Sequence, residues 1–253
     1  TMGMTAGVDA VGARLASAKD STGSLQNMIR NVSKMHAIMA WPAAVTAFVL
    51  ADELIRLWIG VHLDNPSEYV DITAMLVRVA ALGLAARAIS DGWILLLYGA
   101  GYVNRYAKIL FVGGILDPIL AIALVLMLPA LGDEGVSWNN ISGPCWAITV
   151  TYVAFHGVLL PMRGAKILQI PLSTFIGPII GPILLALVIS PILLWPQWIP
   201  VFRASDEAWG LLDLMLAIGS YALVYVTLAS FLLLSKDERR RLFQAIPLPA
   251  RSQ

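Results

Sequence analysis

Residues Ile72 to Tyr98 read ITAMLVRVAALGLAARAISDGWILLLY. An α-helix rises about 1.5 Å per residue, and a bilayer core of about 30 Å takes about 20 helical residues. The stretch is long enough to cross, and its only charged side chains are Arg78, Arg87 and Asp91. Its apolar residues run on continuously instead of alternating, so strand periodicity is absent. Backbone groups in lipid must satisfy one another, which leaves a helix as the structure for this segment.

Working outward, five more stretches match it in length: about 35–57, 107–131, 141–162, 170–196 and 208–235. The expected fold class is therefore an all-α polytopic membrane protein with six transmembrane helices. Composition agrees. Of 253 residues, 58% are hydrophobic and 13% charged; a soluble domain carries about 25% charged residues. Mean hydropathy is +0.78. A net charge of +1 gives no field that would attract nucleic acid. No metal or cofactor is expected. His36, His62 and His156 stand far apart, and Cys145 is the single cysteine.

Three regions follow. Residues 1–34 read as a cytoplasmic or interfacial helical segment, interrupted at Asp20-Ser21-Thr22-Gly23 and running from about Ser24 into the first span. Residues 35–235 hold the six helices, and 236–253 form a basic cytoplasmic tail that Pro247 and Pro249 keep from being helical. The opening lacks the basic start and apolar run of a signal peptide. Thr1 is not an initiator methionine, so the chain reads as a fragment.

The basic residues fall on alternate loops. Arg14, Lys19, Arg30, Lys34, Arg105, Lys108, Arg163, Lys166, Lys236, Arg239, Arg240, Arg241 and Arg251 share one side; Arg203 stands alone on the other. This bias predicts both termini in the cytoplasm. The opposite loops carry Asp64, Glu68, Asp71, Asp133, Glu134, Asp206 and Glu207. Trp58, Trp138, Trp195, Trp198 and Trp209 gather at that edge, and Tyr98, Tyr102 and Tyr106 at the inner one, as aromatic belts do.

Charges near the bilayer centre cost at least about 2.5–3.5 kcal/mol each on insertion scales, so each needs a reason. Arg87 lies close to the middle of the second span, and Asp91 follows on the same helix face. Arg78 is about half a turn out of phase with Arg87, nearer the outer edge, where it could snorkel. Asp117 sits at nearly the depth of Arg87 in the third span, so the two are predicted to meet directly or through water. Two readings stay open: a buried ion pair, or a polar cavity wall that handles an anionic headgroup or a coupling ion. Asp52, Glu53, Arg56 and Asp213 fall at the outer surface, within reach of water. His156 reads first as a hydrogen-bonded packing residue and second as a proton relay. Pro118 and Pro42 predict bends. Gly177 and Gly181 fit a small-xxx-small helix contact, with a transport hinge as the alternative. Asp91-Gly92 matches only the start of a lipid phosphotransferase motif, and no hydrolase, zincin or nucleotide-binding signature follows.

Several segments in order resemble the C-terminal half of bacterial oligosaccharide flippases, the O-antigen and polysaccharide exporters of the MATE-like superfamily. They are Val11 to Asp20, Leu54-Ile55-Arg56-Leu57-Trp58-Ile59-Gly60 with Tyr69, Leu97 to Ala107 around Gly99-Ala100-Gly101-Tyr102, Gly132 to Gly143, and Leu160-Pro161-Met162-Arg163. Ile115-Leu116-Asp117-Pro118-Ile119 departs from the family, which often has an asparagine there. The resemblance implies most of the C-terminal lobe of a MATE-like transporter, with the N-terminal lobe on missing chain. It implies alternating access that moves a polyprenyl-pyrophosphate-linked oligosaccharide across the bacterial inner membrane for polysaccharide export, and no enzymatic activity. Arg87, then Arg78, would bind the anionic substrate in the cavity, since arginine holds pyrophosphate bidentately. Asp91 and Asp117 would pair with Arg87 or couple an ion. A multidrug or small-solute exporter of the same fold is the alternative; a membrane-embedded lipid-modifying enzyme or an assembly subunit is a third.

Overall fold

The structure, a computed structural model, describes residues 21–59, 66–99, 101–127, 138–198, 210–236 and 238–240. Expectations for residues 1–20, for Asp64, Asp133, Glu134, Arg203, Asp206, Glu207 and Trp209, and for the tail from 241 lie outside the described residues. So do those for the side chains of Glu68, Trp138 and Trp198.

The helices are α1 (Ser21–Val49), α2 (Ala51–Trp58), α3 (Pro66–Gly99), α4 (Val103–Met127), α5 (Trp138–Tyr152), α6 (Leu160–Leu168), α7 (Ser173–Val188) and α8 (Leu211–Leu232). A π-helical turn, Val153–Leu159, joins α5 to α6, and a 3₁₀ segment, Ser190–Trp198, extends α7. Six runs are long and apolar enough to cross a membrane: Gly23–Val49, Tyr69–Gly99, Val103–Met127, Ser142–Leu168, Ser173–Pro196 and Leu211–Leu232. No strand occurs among the described residues. The chain is an all-α polytopic membrane protein.

The first span starts earlier than its hydropathy suggests. One helix runs unbroken from Ser21 through Lys34 to Val49, so no boundary separates an interfacial piece from the span. The break comes at Leu50 instead, where the chain turns into α2. The fourth span is longer than expected because the π turn carries it on to Leu168.

α3 is central. It packs on α1 on one side and on α5 on the other. α1 packs in turn on α7, α8 lies against the 3₁₀ segment, and α4 lies mainly against α5. One apolar cluster joins Leu25 and Ile29 of α1, Trp93, Leu96 and Leu97 of α3, Tyr106 of α4, Leu160 and Leu168 of α6, and Phe175 of α7. Starts of odd spans thus meet ends of even ones, as in an antiparallel bundle. Trp93 and Phe175 meet edge to face at 5.0 Å between ring centroids. Tyr106 is buried in this cluster, which removes it from the expected aromatic belt, whereas Tyr98 and Trp58 are exposed. A second cluster joins Val45, Leu193, Leu214, Tyr221 and Tyr225.

Four α-helices run through prolines. Proline clashes with the N–H and Cβ of the residue before it. Gly177-Pro178 and Gly181-Pro182 remove the Cβ part of that clash, which helps α7 stay helical across both. The expected Gly177/Gly181 contact is half met. A Cβ on Gly181 would come 2.9 Å from Leu233, but one on Gly177 would meet nothing within 4 Å. At Gly83 the crossing is close: a Cβ there would lie 2.9 Å from the Thr149 Cα, so α3 and α5 approach nearly backbone to backbone. Thr149 donates its hydroxyl to the Val79 carbonyl at 2.7 Å across the same crossing.

Candidate functional site

The charges of α3 divide between its two neighbours. Arg78 points to α1 and α2, where Nη2 pairs with Asp52 and Nε donates to the Phe48 carbonyl at 3.1 Å. The chain breaks at Leu50, and Arg78 bridges that break from the last turn of α1 to the first of α2. Asp52 is therefore engaged by protein, not simply solvated, and Glu53 has a buried Oε2 with no hydrogen-bond partner. Asp213 accepts from the Gly210 N–H at 3.1 Å and caps the start of α8.

Arg87 turns the other way, to α5. Its Nη1 donates to the Tyr152 hydroxyl at 2.7 Å, and Nε lies 3.4 Å from Asp91 Oδ2 on its own helix. Its guanidinium carbon stands 5.2 Å from the Tyr152 ring centroid. Ser90, one residue before Asp91, donates its hydroxyl to the Arg87 carbonyl at 2.9 Å. Ser90 Oγ also lies 2.6 Å from His156 Nδ1 in the π turn. A hydroxyl has one proton. With that proton on the Arg87 carbonyl, Nδ1–H donates to Ser90 and Nε2 is left as a free acceptor. His156 meets Tyr152 edge to face at 5.4 Å. The contacts close a ring: Arg87, Tyr152, His156, Ser90 and back to Arg87.

This ring opens on a face that no other helix of the described chain covers. Leu84 is 55% exposed, and the Arg87 and Asp91 side chains are 46% and 47% exposed. Spacings of three and four place all of them on one stripe of α3. The contacts of Arg87 engage Nη1 and Nε, which leaves Nη2 without a partner among the described residues.

Asp117 does not join the ring. No ion pair links it to Arg87 among the described residues, because α5 lies between the two helices. That corrects the sequence expectation: shared depth brought the two no closer once α4 packed beyond α5. Asp117 faces α5 instead. Gly113 abuts Phe155 and Gly143 abuts Val125, a register that sets Asp117 level with Thr151. Thr151 is only 5% exposed. Asp117 Oδ1 and Thr151 Oγ1 are both buried without a hydrogen-bond partner. Buried polar atoms normally have one, so both atoms stand out in an apolar interface.

Sequence reading found Arg87 and Asp91 but missed Tyr152, Ser90 and Thr151, and it ranked His156 first as packing. The signal available was weak: polar residues recur through 149–156 of an otherwise apolar span. The π turn that presents His156 has no sequence signature. Such turns are rare and occur often at functional sites. No group of three or more His, Cys, Asp or Glu that could hold a metal occurs among the described residues.

Comparison with known proteins adds no family: no family model, no curated protein and no solved structure matches the chain.

Proposed function

We propose that the chain forms most of one lobe of a MATE-like transporter that moves a polyprenyl-pyrophosphate-linked oligosaccharide across a bacterial cytoplasmic membrane. Both termini of the chain lie in the cytoplasm on this reading, which rests on the basic-residue bias. The observation that carries it is the open Arg87 face. A charge near mid-membrane turned to acyl chains is costly, so a face bearing Arg87 and Asp91 fits a wet cavity closed by a second lobe. The unengaged Nη2 end of a guanidinium suits a phosphoryl oxygen. Asp91 and Tyr152 orient the guanidinium. Arg78 is the second candidate and stands apart from the Arg87 face, with its Nε and Nη2 engaged at the α1–α2 break. Asp117 with Thr151 is the place where a coupling ion would complete two unsatisfied groups.

A cation exporter would need acids open to the cavity with Arg87 turned away. Asp91 is held by Arg87 and Asp117 faces α5, so the geometry favours the anionic substrate. The test is export in the full-length transporter. Arg87→Ala should abolish it, and Arg87→Lys should impair it because the bidentate fork is lost. Full export by Arg87→Ala would overturn the assignment.

A further inference from the structure

We propose that His156 takes up a proton when the Arg87 face binds a multiply charged oxyanion, so that anion and proton bind together. The inference rests on the anion reading of Arg87 and adds the partner that balances its charge.

Arg87 and Asp91 neutralise one another. An anion carrying two or more negative charges therefore enters a site with no net charge to meet it. In a partly dehydrated cavity that mismatch is expensive, because the effective dielectric constant is well below that of water. Of the other ring members only the imidazole can gain a positive charge, since the Tyr152 phenol is neutral when protonated. His156 rests its ring against Tyr152, which holds the Arg87 guanidinium, so an oxyanion on the free Nη edge comes close to it. Its Nδ1 is tied to Ser90, while Nε2 makes no hydrogen bond within the described chain. Nε2 can accept a proton without breaking any contact of the ring.

Among the described residues, no unpaired cation is in contact with the imidazole. From α3 the groups acting on the imidazole are Arg87 and Asp91, already paired. From its own span it meets Tyr152. α4 presents Gly113 to the π turn, and its acid, Asp117, sits level with Thr151, more than a turn away. α6 offers Arg163 and Lys166, both exposed. On α1, His36 packs against Gly92, on the far side of Asp91, and its Nδ1 is 3.0 Å from the Val32 carbonyl. An anion beside an imidazole favours the protonated form. By reciprocity, the proton must raise anion affinity by the same factor.

The experiment is isothermal titration of inorganic pyrophosphate into the full chain in lipid nanodiscs, in two buffers of different ionisation enthalpy. The difference in heat gives the protons taken up. Protons gained by pyrophosphate itself are common to all variants and cancel in the comparison. Wild type should take up more protons per anion than His156→Gln, by an amount approaching one near neutral pH. His156→Gln should bind more weakly, by about 5- to 150-fold, the usual range for coupled sites. Equal uptake by wild type and His156→Gln, with binding still lost in Arg87→Gln, would overturn this inference and leave the anion reading standing. No binding by folded wild type would overturn both. If His156→Gln does not fold, infrared spectra of wild type labelled at histidine read the same proton: imidazolium bands should rise with pyrophosphate, and their constancy would contradict the proposal.

Discussion

Arg87 and Arg78 show how one helix gives the same residue type two different jobs. Half a turn of phase separates them, and each meets the neighbour on its own side of α3. Arg78 finds a helix break to bridge, and its Nε and Nη2 are engaged there. Arg87 finds one hydroxyl and one carboxylate and keeps free donors. Removing the hydroxyl should therefore matter for function more than for folding. Tyr152→Phe should weaken pyrophosphate binding about tenfold, the loss of ~1.4 kcal/mol expected for a hydrogen bond to a charged group. Its melting temperature should stay close to that of wild type, and titration beside a thermal melt checks both. Arg78→Ala should do the reverse. It should lower the melting temperature by about 2–4 °C, roughly the effect of 1 kcal/mol in a chain of this size, and leave pyrophosphate affinity unchanged. The positions and phase of these arginines could be read from the sequence. Their partners could not, because the break at Leu50 and the tyrosine of α5 are set by packing between helices.

Among elements, the crossing of α3 and α5 positions the site, and Gly83 sets its closeness. Alanine there would gain about 1 kcal/mol of helix propensity. It would also press a Cβ to 2.9 Å from the Thr149 backbone, which cannot move aside as a side chain can. The clash should win, so Gly83→Ala should destabilise by about 1–3 kcal/mol, in the range of overpacked cores. Gly219 in α8 is the control: a Cβ there meets nothing within 4 Å, and Gly219→Ala should stabilise by about 0.5–1 kcal/mol. Thermal melts of both variants in one detergent read the two signs. The spans themselves were legible, since an apolar run of bilayer length has few other fates. The π turn at Val153–Leu159 was not, because its residues are compatible with an ordinary helix. The expected meeting of Arg87 and Asp117 failed for a related reason: hydropathy fixes depth, while the order of helices around the bundle depends on which faces pack.

For the whole molecule, Lys34 ties α1 to the segment just past α8. Lys34 of α1 lies 2.6 Å from Glu238, just past α8, and 3.4 Å from the Leu233 carbonyl. Burial alone would raise the Glu238 carboxyl, but hydrogen bonds from Lys34 and Ser235 outweigh it and hold the group below its ordinary range. Its stabilising effect is then complete above the unfolded-state value and is lost as pH falls through the lowered folded-state value. Wild type should melt above Glu238→Gln near neutral pH, and the two curves should converge in acid. The six helices leave a surface of α3 open beside α5. Three of its α3 positions, Leu84, Arg87 and Asp91, are exposed or half exposed, while Ile122 of α4 is exposed on an apolar stretch. Lipid should cover the second, and a wet cavity the first. A cysteine placed at each of positions 84, 91 and 122 in a Cys145→Ala background of the full-length protein separates these cases. Treatment in intact membranes with a water-soluble, membrane-impermeant maleimide should label Leu84→Cys and Asp91→Cys and leave Ile122→Cys unreacted. If positions 84 and 91 resist the reagent as position 122 does, the Arg87 face is turned to lipid or buried in protein, and the cavity account is wrong.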